Sequence, residues 1–185
     1  MEPTQRERFE RLMLPHLDAA YTLARWMMRD EHEARDAVQE AYLRALRFFG
    51  SFHGEDGRPW LMRIVRNACY ELLERGRALA AAGEFDEAAL GVDSVAPGAV
   101  LVLPVNPEAA AIERASRDLV RRCLRAMPPD YREVLVLREM HGCSYKEIAS
   151  IAAIPIGTVM SRLARARRLL RARIGESARR EDTGT

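Results

Sequence analysis

Lysine is almost absent: Lys146 is the single lysine among 29 cations, the rest being arginine. No stretch approaches the roughly 18 apolar residues of a membrane-spanning helix. The opening residues, Met1 to Arg8, lack the pattern of a secretory leader, so a cytoplasmic location is expected. Cysteine is scarce; Cys69, Cys123 and Cys143 are odd in number and far apart, which argues against a disulfide framework. The four histidines, His16, His32, His53 and His141, are scattered. His141-Gly142-Cys143 supplies two metal ligands at most, with no second pair at zinc spacing, so neither metal nor other cofactor is expected. No Ser/His/Asp or paired-carboxylate arrangement is legible, which excludes the common hydrolytic enzymes and points to a binding protein. No repeat of period 20–50 is present.

What is there is enough apolar material for packed cores, 48% hydrophobic residues over 185 positions, and an uneven charge. Residues 1–77 carry 13 cations and 13 acids. Residues 78–113 carry six acids and no cation, and residues 114–185 carry 16 cations and 8 acids. The middle segment also holds Ala80-Ala81-Ala82-Gly83, Ala96-Pro97-Gly98 and Val105-Asn106-Pro107. A structureless stretch of that length reads as a flexible acidic linker between two small domains. The last ten residues, 176–185, read as a disordered tail.

Helical spacing dominates both flanks, so an all-α fold is expected. In 8–29, Phe9, Leu12, Met13, Ala20, Leu23, Ala24 and Met27 recur three and four apart, with Pro15 marking a kink or break. In 31–49, Ala34, Val38, Ala41, Tyr42, Ala45 and Phe49 do the same, opposite a face with Asp36, Gln39, Glu40 and Arg44. Three glycines stop the chain at 50–58, and Pro59 suits the first turn of the next helix. That helix, to about Arg77, buries Leu61, Ile64, Val65, Ala68 and Leu72 and turns out Arg63, Arg66, Asn67 and Tyr70. Cations, an amide and a phenol on one face suit phosphates, base edges and unstacked bases.

Ser144-Tyr145-Lys146-Glu147 is a capping box. A short helix follows, Ala153-Ile154-Pro155 turns the chain, and a second, arginine-rich helix runs from Ile156 to about Ile174. Two helices about a tight turn form a helix-turn-helix. On the second helix Val159, Leu163, Ala166 and Leu170 span about 80–140° of the wheel, with Thr158 at zero. The opposite face carries Ser161, Ala164, Arg165 and Arg168, flanked by Thr158 and Met160. Arg165 and Arg168 are candidates for guanine contacts in the major groove. Arg162, Arg167 and Arg171 lie further round, toward phosphate or solvent. A one-component regulator binding duplex DNA remains the alternative class.

Three motifs in order resemble the group IV, or extracytoplasmic-function (ECF), sigma factors of the sigma-70 family. Asp36-Ala37-Val38-Gln39-Glu40-Ala41-Tyr42 is similar to the family's D-x-V-Q-E-x-F helix. Arg58-Pro59-Trp60-Leu61-Met62-Arg63-Ile64-Val65-Arg66-Asn67 resembles its promoter-melting segment. Met127 to Leu135, Ser144 to Ala149 and Pro155 to Leu163 resemble its −35-reading domain. The resemblance implies a sigma-2-like domain at 1–77 and a sigma-4-like domain at 114–175, joined by the linker at 78–113. It implies an RNA polymerase subunit that directs the core enzyme to a promoter set, with an anti-sigma factor as regulator. Asp36, Gln39, Glu40 and Arg44 would meet the β′ clamp helices, and the −35 domain the β flap. Phe52, His53, Trp60, Arg63, Arg66, Asn67 and Tyr70 would read the melted −10 strand, the glycine loop holding a flipped base. Thr158, Met160, Ser161, Ala164, Arg165 and Arg168 would read the −35 duplex. Met160 departs from the family, which often has a basic residue there. The linker would thread the polymerase, its acids mimicking nucleic acid.

Overall fold

A computed structural model describes residues 3–28, 30–81 and 107–182. Eight α-helices account for most of them: α1 Pro3–Met13, α2 Leu17–Met27, α3 Glu31–Phe48, α4 Arg58–Ala81, α5 Pro107–Arg125, α6 Pro129–Glu139, α7 Tyr145–Ala152 and α8 Ile156–Asp182. No strand occurs among the described residues, in keeping with the all-α expectation.

Local chemistry sets the boundaries. Pro15 ends α1, leaving a 3-10 turn at Leu14–His16 before α2. Asp30 caps α3 by accepting from the Glu33 backbone N–H at 2.8 Å. Asp56 accepts from the Arg58 N–H at 2.9 Å where α4 begins. The capping box forms in both directions: the Glu147 N–H donates to Ser144 Oγ at 3.2 Å, and the Ser144 N–H to Glu147 Oε2 at 2.7 Å. Between α7 and α8 the chain turns through Ala153 at φ +54°, a left-handed conformation that a side chain disfavours.

Helices α1 to α4 pack as one unit and α5 to α8 as another, and the two share a continuous core. Helix α2 packs on α3 and α4 but also on α6, and α4 packs on α7. The two helical domains expected from the sequence are therefore in direct contact, which a reading of the linker alone does not reveal. Apolar side chains on both sides, Met27 and Met28 with Leu124 and Met127, are buried in the joint core, and burial of such groups drives association.

The linker and tail also differ from expectation at their edges. Ala80 and Ala81, strong helix formers, extend α4, while Pro107 starts α5 at a position proline favours. Residues 82–106, the centre of the expected linker, lie outside the described residues. The tail at 176–182 is helical, not irregular, because α8 continues to Asp182. Gly175 costs that helix only about 1 kcal/mol, too little to end it.

Candidate nucleic-acid interface

The helix-turn-helix presents its second helix as the wheel arithmetic requires. Val159, Leu163 and Ala166 are buried, while Met160, Ser161, Ala164, Arg165 and Arg168 are exposed and Thr158 is half-buried. Neither Arg165 nor Arg168 makes an ion pair or hydrogen bond among the described residues, so both guanidinium groups face solvent. Their neighbours are committed: Arg162 pairs with Asp130 at 2.9 Å and Arg167 with Glu139 at 2.7 Å. The open strip thus combines two free guanidinium forks, a hydroxyl pair and the 54% exposed thioether of Met160. That set suits guanine edges and thymine methyls in a major groove.

The face expected to read single strands is only partly open. His53, Arg63 and Asn67 are exposed, and Trp60 is half-buried. Phe52 points inward, 7% exposed, stacked 5.9 Å from Phe49 and 4.9 Å from Trp60. Arg8 fastens this loop to α1, donating to the carbonyls of Phe52 at 3.1 Å and Gly54 at 3.2 Å. A Cβ at Gly57 would stand 2.7 Å from the Leu12 carbonyl oxygen, so only glycine permits that approach. Phe52, expected among the residues that read the −10 strand, is buried instead: its ring completes the aromatic cluster under the loop.

Arg66 and Tyr70 also face protein. Arg66 Nε donates to Glu133 Oε1 at 2.7 Å, and its guanidinium lies 4.3 Å over the Tyr70 ring. The Tyr70 hydroxyl has one proton, which it donates to Glu133 Oε2 at 2.8 Å or shares with Asp130 Oδ1 at 3.1 Å. Burial and the Glu133 carboxylate both push the Tyr70 pKa up. Burial alone would lower that of Arg66, but Glu133 outweighs it and the net direction is upward. Arg132 lies alongside, donating to the carbonyls of Trp26, Met27, Arg125 and Met127 at 2.9–3.2 Å. Arg58 donates to the His141 carbonyl at 2.6 Å. The imidazole of half-buried His141 has its pKa lowered to about 4, by desolvation first and by the Arg58 charge second.

On α3, Asp36 and Gln39 are exposed as expected, and Glu40 is half-buried. Arg44 is not free to meet a partner: it holds Glu40 at 2.7 Å and forks onto Glu71 at 2.6 and 2.7 Å. The sequence reading missed Leu43 and Leu46 on the same face, 54% and 42% exposed. Their signal was available: two leucines lie outside the apolar stripe of an otherwise regular helix. Beside them an open groove of about 400 Å³ runs between α2 and α3, lined by Leu17, Tyr21, Val38 and Tyr42 and edged by Asp18, Arg35 and Gln39.

A four-helix unit followed by a helix-turn-helix unit with an open, arginine-bearing second helix is an arrangement suited to recognising DNA. Comparison with known proteins narrows the class. Residues 12–79 match Sigma-70 region 2, and residues 117–170 match Sigma-70, region 4. The chain is 37% identical over 134 residues to the ECF RNA polymerase sigma-E factor of Escherichia coli strain K12, covering 71% of this chain and 69% of that protein. It is 33% identical over 167 residues to the RNA polymerase sigma-H factor of Pseudomonas aeruginosa, covering 86% and 82%. The fold is shared with the sigma factor RpoE in complex with the anti-sigma factor NepR from Bartonella quintana, at TM-score 0.70 and 24% identity, over 91% of this chain and 98% of that one. It is similar too to CnrH in complex with the cytosolic domain of CnrY, at TM-score 0.61 and 25% identity, over 90% and 87%. The chain belongs to the ECF sigma factors of the sigma-70 family. It is a transcription initiation factor, of a family that binds core RNA polymerase and promoter DNA. No single helix among the described residues is long and apolar enough to cross a membrane.

Proposed function

We propose that α8 reads the −35 element, with Arg165 and Arg168 on guanines and Thr158, Met160, Ser161 and Ala164 completing the groove face. Exposed Arg63, Asn67 and His53, with Trp60 behind them and Arg66 and Tyr70 once uncovered, read the melted −10 strand. Asp36, Gln39, Glu40, Leu43 and Leu46 on α3 dock on the β′ clamp helices, and the unit from α5 to α8 meets the β flap. The chain carries out no chemistry of its own and acts in the cytoplasm. Residues 1–77 and 114–175 serve as the two recognition domains. An anti-sigma partner regulates it, in keeping with the similar RpoE fold, which was solved bound to the anti-sigma factor NepR. The observation that carries this reading is the pairing pattern on α8: Arg162 and Arg167 hold acids, while Arg165 and Arg168, on the groove face, hold none.

The test is transcription by core polymerase from a selected promoter library, with and without the chain. Wild-type protein is expected to enrich one −35 sequence, and Arg165→Ala to relax it at one base pair. Enrichment that is identical with and without the chain refutes the reading.

A further inference from the structure

We propose that Asp130 and Glu133 on α6 act as an intrachain stand-in for nucleic acid, holding Arg66 and Tyr70 so that the −10 face is closed in the free protein. This rests on the assignment of that face to the melted strand.

A guanidinium and a phenol on one helix face take phosphate oxygens and base edges; carboxylate oxygens offer the same acceptors at the same distances. Glu133 supplies one oxygen to Arg66 at 2.7 Å and the other to Tyr70 at 2.8 Å, and Asp130 adds a second acceptor for Tyr70 at 3.1 Å. With Arg66 stacked 4.3 Å over it, the Tyr70 ring presents one face fewer to a base.

Burial separates this contact from an ordinary surface ion pair. The Glu133 side chain is 0% exposed and that of Arg66 19%, so solvent does not screen them as it would a surface pair. The contact is also supported. Arg132 and Arg58 bind backbone carbonyls across the same boundary, and Asp130 holds Arg162 at the base of α8. Closure is selective: Arg63 and Asn67 stay exposed, as does the groove face of α8. The free chain can therefore present its −35 face while its −10 face is occupied. A strand gains Arg66 and Tyr70 only by displacing α6.

The test uses the full chain with donor and acceptor dyes on cysteines placed at exposed His32 and Ala172. The native thiols Cys69, Cys123 and Cys143 are all buried, so the introduced exposed cysteines are expected to label first; burial also raises the Cys69 and Cys143 pKa values. A fluorescent single-stranded DNA of mixed sequence is the probe, at one fixed salt concentration. The double variant Asp130→Asn/Glu133→Gln keeps the shapes and removes the charge. It is expected to lower energy transfer between the dyes and tighten oligonucleotide binding about tenfold. Glu7→Gln/Glu74→Gln makes the same net-charge change at exposed positions and is expected to do neither. Should the double variant fail to fold, Asp130→Asn alone, at a half-exposed side chain, is expected to show both effects in smaller measure. Unchanged transfer in a folded variant overturns the latch. Lower transfer with unchanged affinity overturns the mimicry. Arg63→Ala, outside the latch, separates the two assignments: if it leaves binding intact in both backgrounds, the −10 face is wrongly placed even where the dyes report opening.

Discussion

Replacing Arg132 with methionine gives the sharpest test of how the two units hold together. Its side chain is 6% exposed and donates to four carbonyls, two in each unit. Trp26 and Met27 end α2 and Arg125 ends α5, so these oxygens are among the last-turn acceptors a helix cannot satisfy itself. Two of the four bonds, to Met27 and Met127, are buried. Leaving a buried acceptor unpaired costs about 1–3 kcal/mol. Two such losses give about 2–6 kcal/mol, and water can reach the other two oxygens. For a chain of this size each kcal/mol moves the midpoint by about 2–4 °C, so Arg132→Met should lower Tm by roughly 4–24 °C. Both tryptophans, Trp26 and Trp60, lie in the first unit, so urea unfolding followed by fluorescence reports that unit while circular dichroism reports both. The variant should show two separated transitions where the wild type shows one. Arg132→Lys, with three donors on one nitrogen and no fork, should recover less than half the loss. A folded Arg132→Met variant within 1 kcal/mol of wild type, with coincident transitions, would refute the reasoning.

Other consequences follow from the same contacts. Ser144→Ala removes one arm of the capping box and should destabilise the helix-turn-helix by about 1 kcal/mol in urea unfolding; an unchanged midpoint would mean solvent replaces the cap without loss. His141 has its folded-state pKa depressed to about 4, below its ordinary value near 6.5, so the unfolded chain binds more protons between those limits. Its contribution is complete above about pH 6.5 and is lost as pH falls toward 4, and His141→Gln should flatten the stability profile in that window relative to wild type. Leu43→Asp, at an exposed position, should leave stability within about 0.5 kcal/mol of wild type yet abolish binding to core polymerase; early melting would place Leu43 in the fold instead. Arg165→Ala should weaken −35 binding by about 1–3 kcal/mol at one base pair, whereas an equal loss on every sequence would make it a phosphate contact.

Helices, caps and the exposed strip of α8 were legible because each is written in neighbouring residues. Periods of three and four identified α3, α4 and α8, and Ser144 with Glu147 marked the start of α7. The closure was not legible. Arg66 meets Glu133 across 67 positions and Arg132 meets Met27 across 105, and nothing local records either pairing. In sequence, Arg66 and Tyr70 look like any open basic face. Phe52 was misread for a related reason. A loop phenylalanine between glycines resembles a free ring, but Phe49 and Trp60 converge on it, and Phe9 packs on Phe49 behind them. Arg44 fell to Glu71, 27 residues away, on a helix not known in advance to lie alongside.

The balance of forces at the boundary bears on the order of events during initiation. A buried ion pair such as Arg66–Glu133 adds little net stability over apolar packing, because each charge has given up water. Its removal by separation, with both partners rehydrated, therefore costs far less than its mutation on one side. Closure of this kind is geometrically specific yet reversible. The proposed polymerase-docking face on α3 does not overlap it: Asp36, Gln39 and Leu43 are exposed with the latch shut. Core polymerase can thus engage the closed chain first, and the energy of that contact can then draw the units apart. On this scheme the Asp130→Asn/Glu133→Gln variant should bind core polymerase within about twofold of wild type while melting the promoter faster. Core affinity raised tenfold or more would show instead that closure hides the docking surface, and that opening comes first.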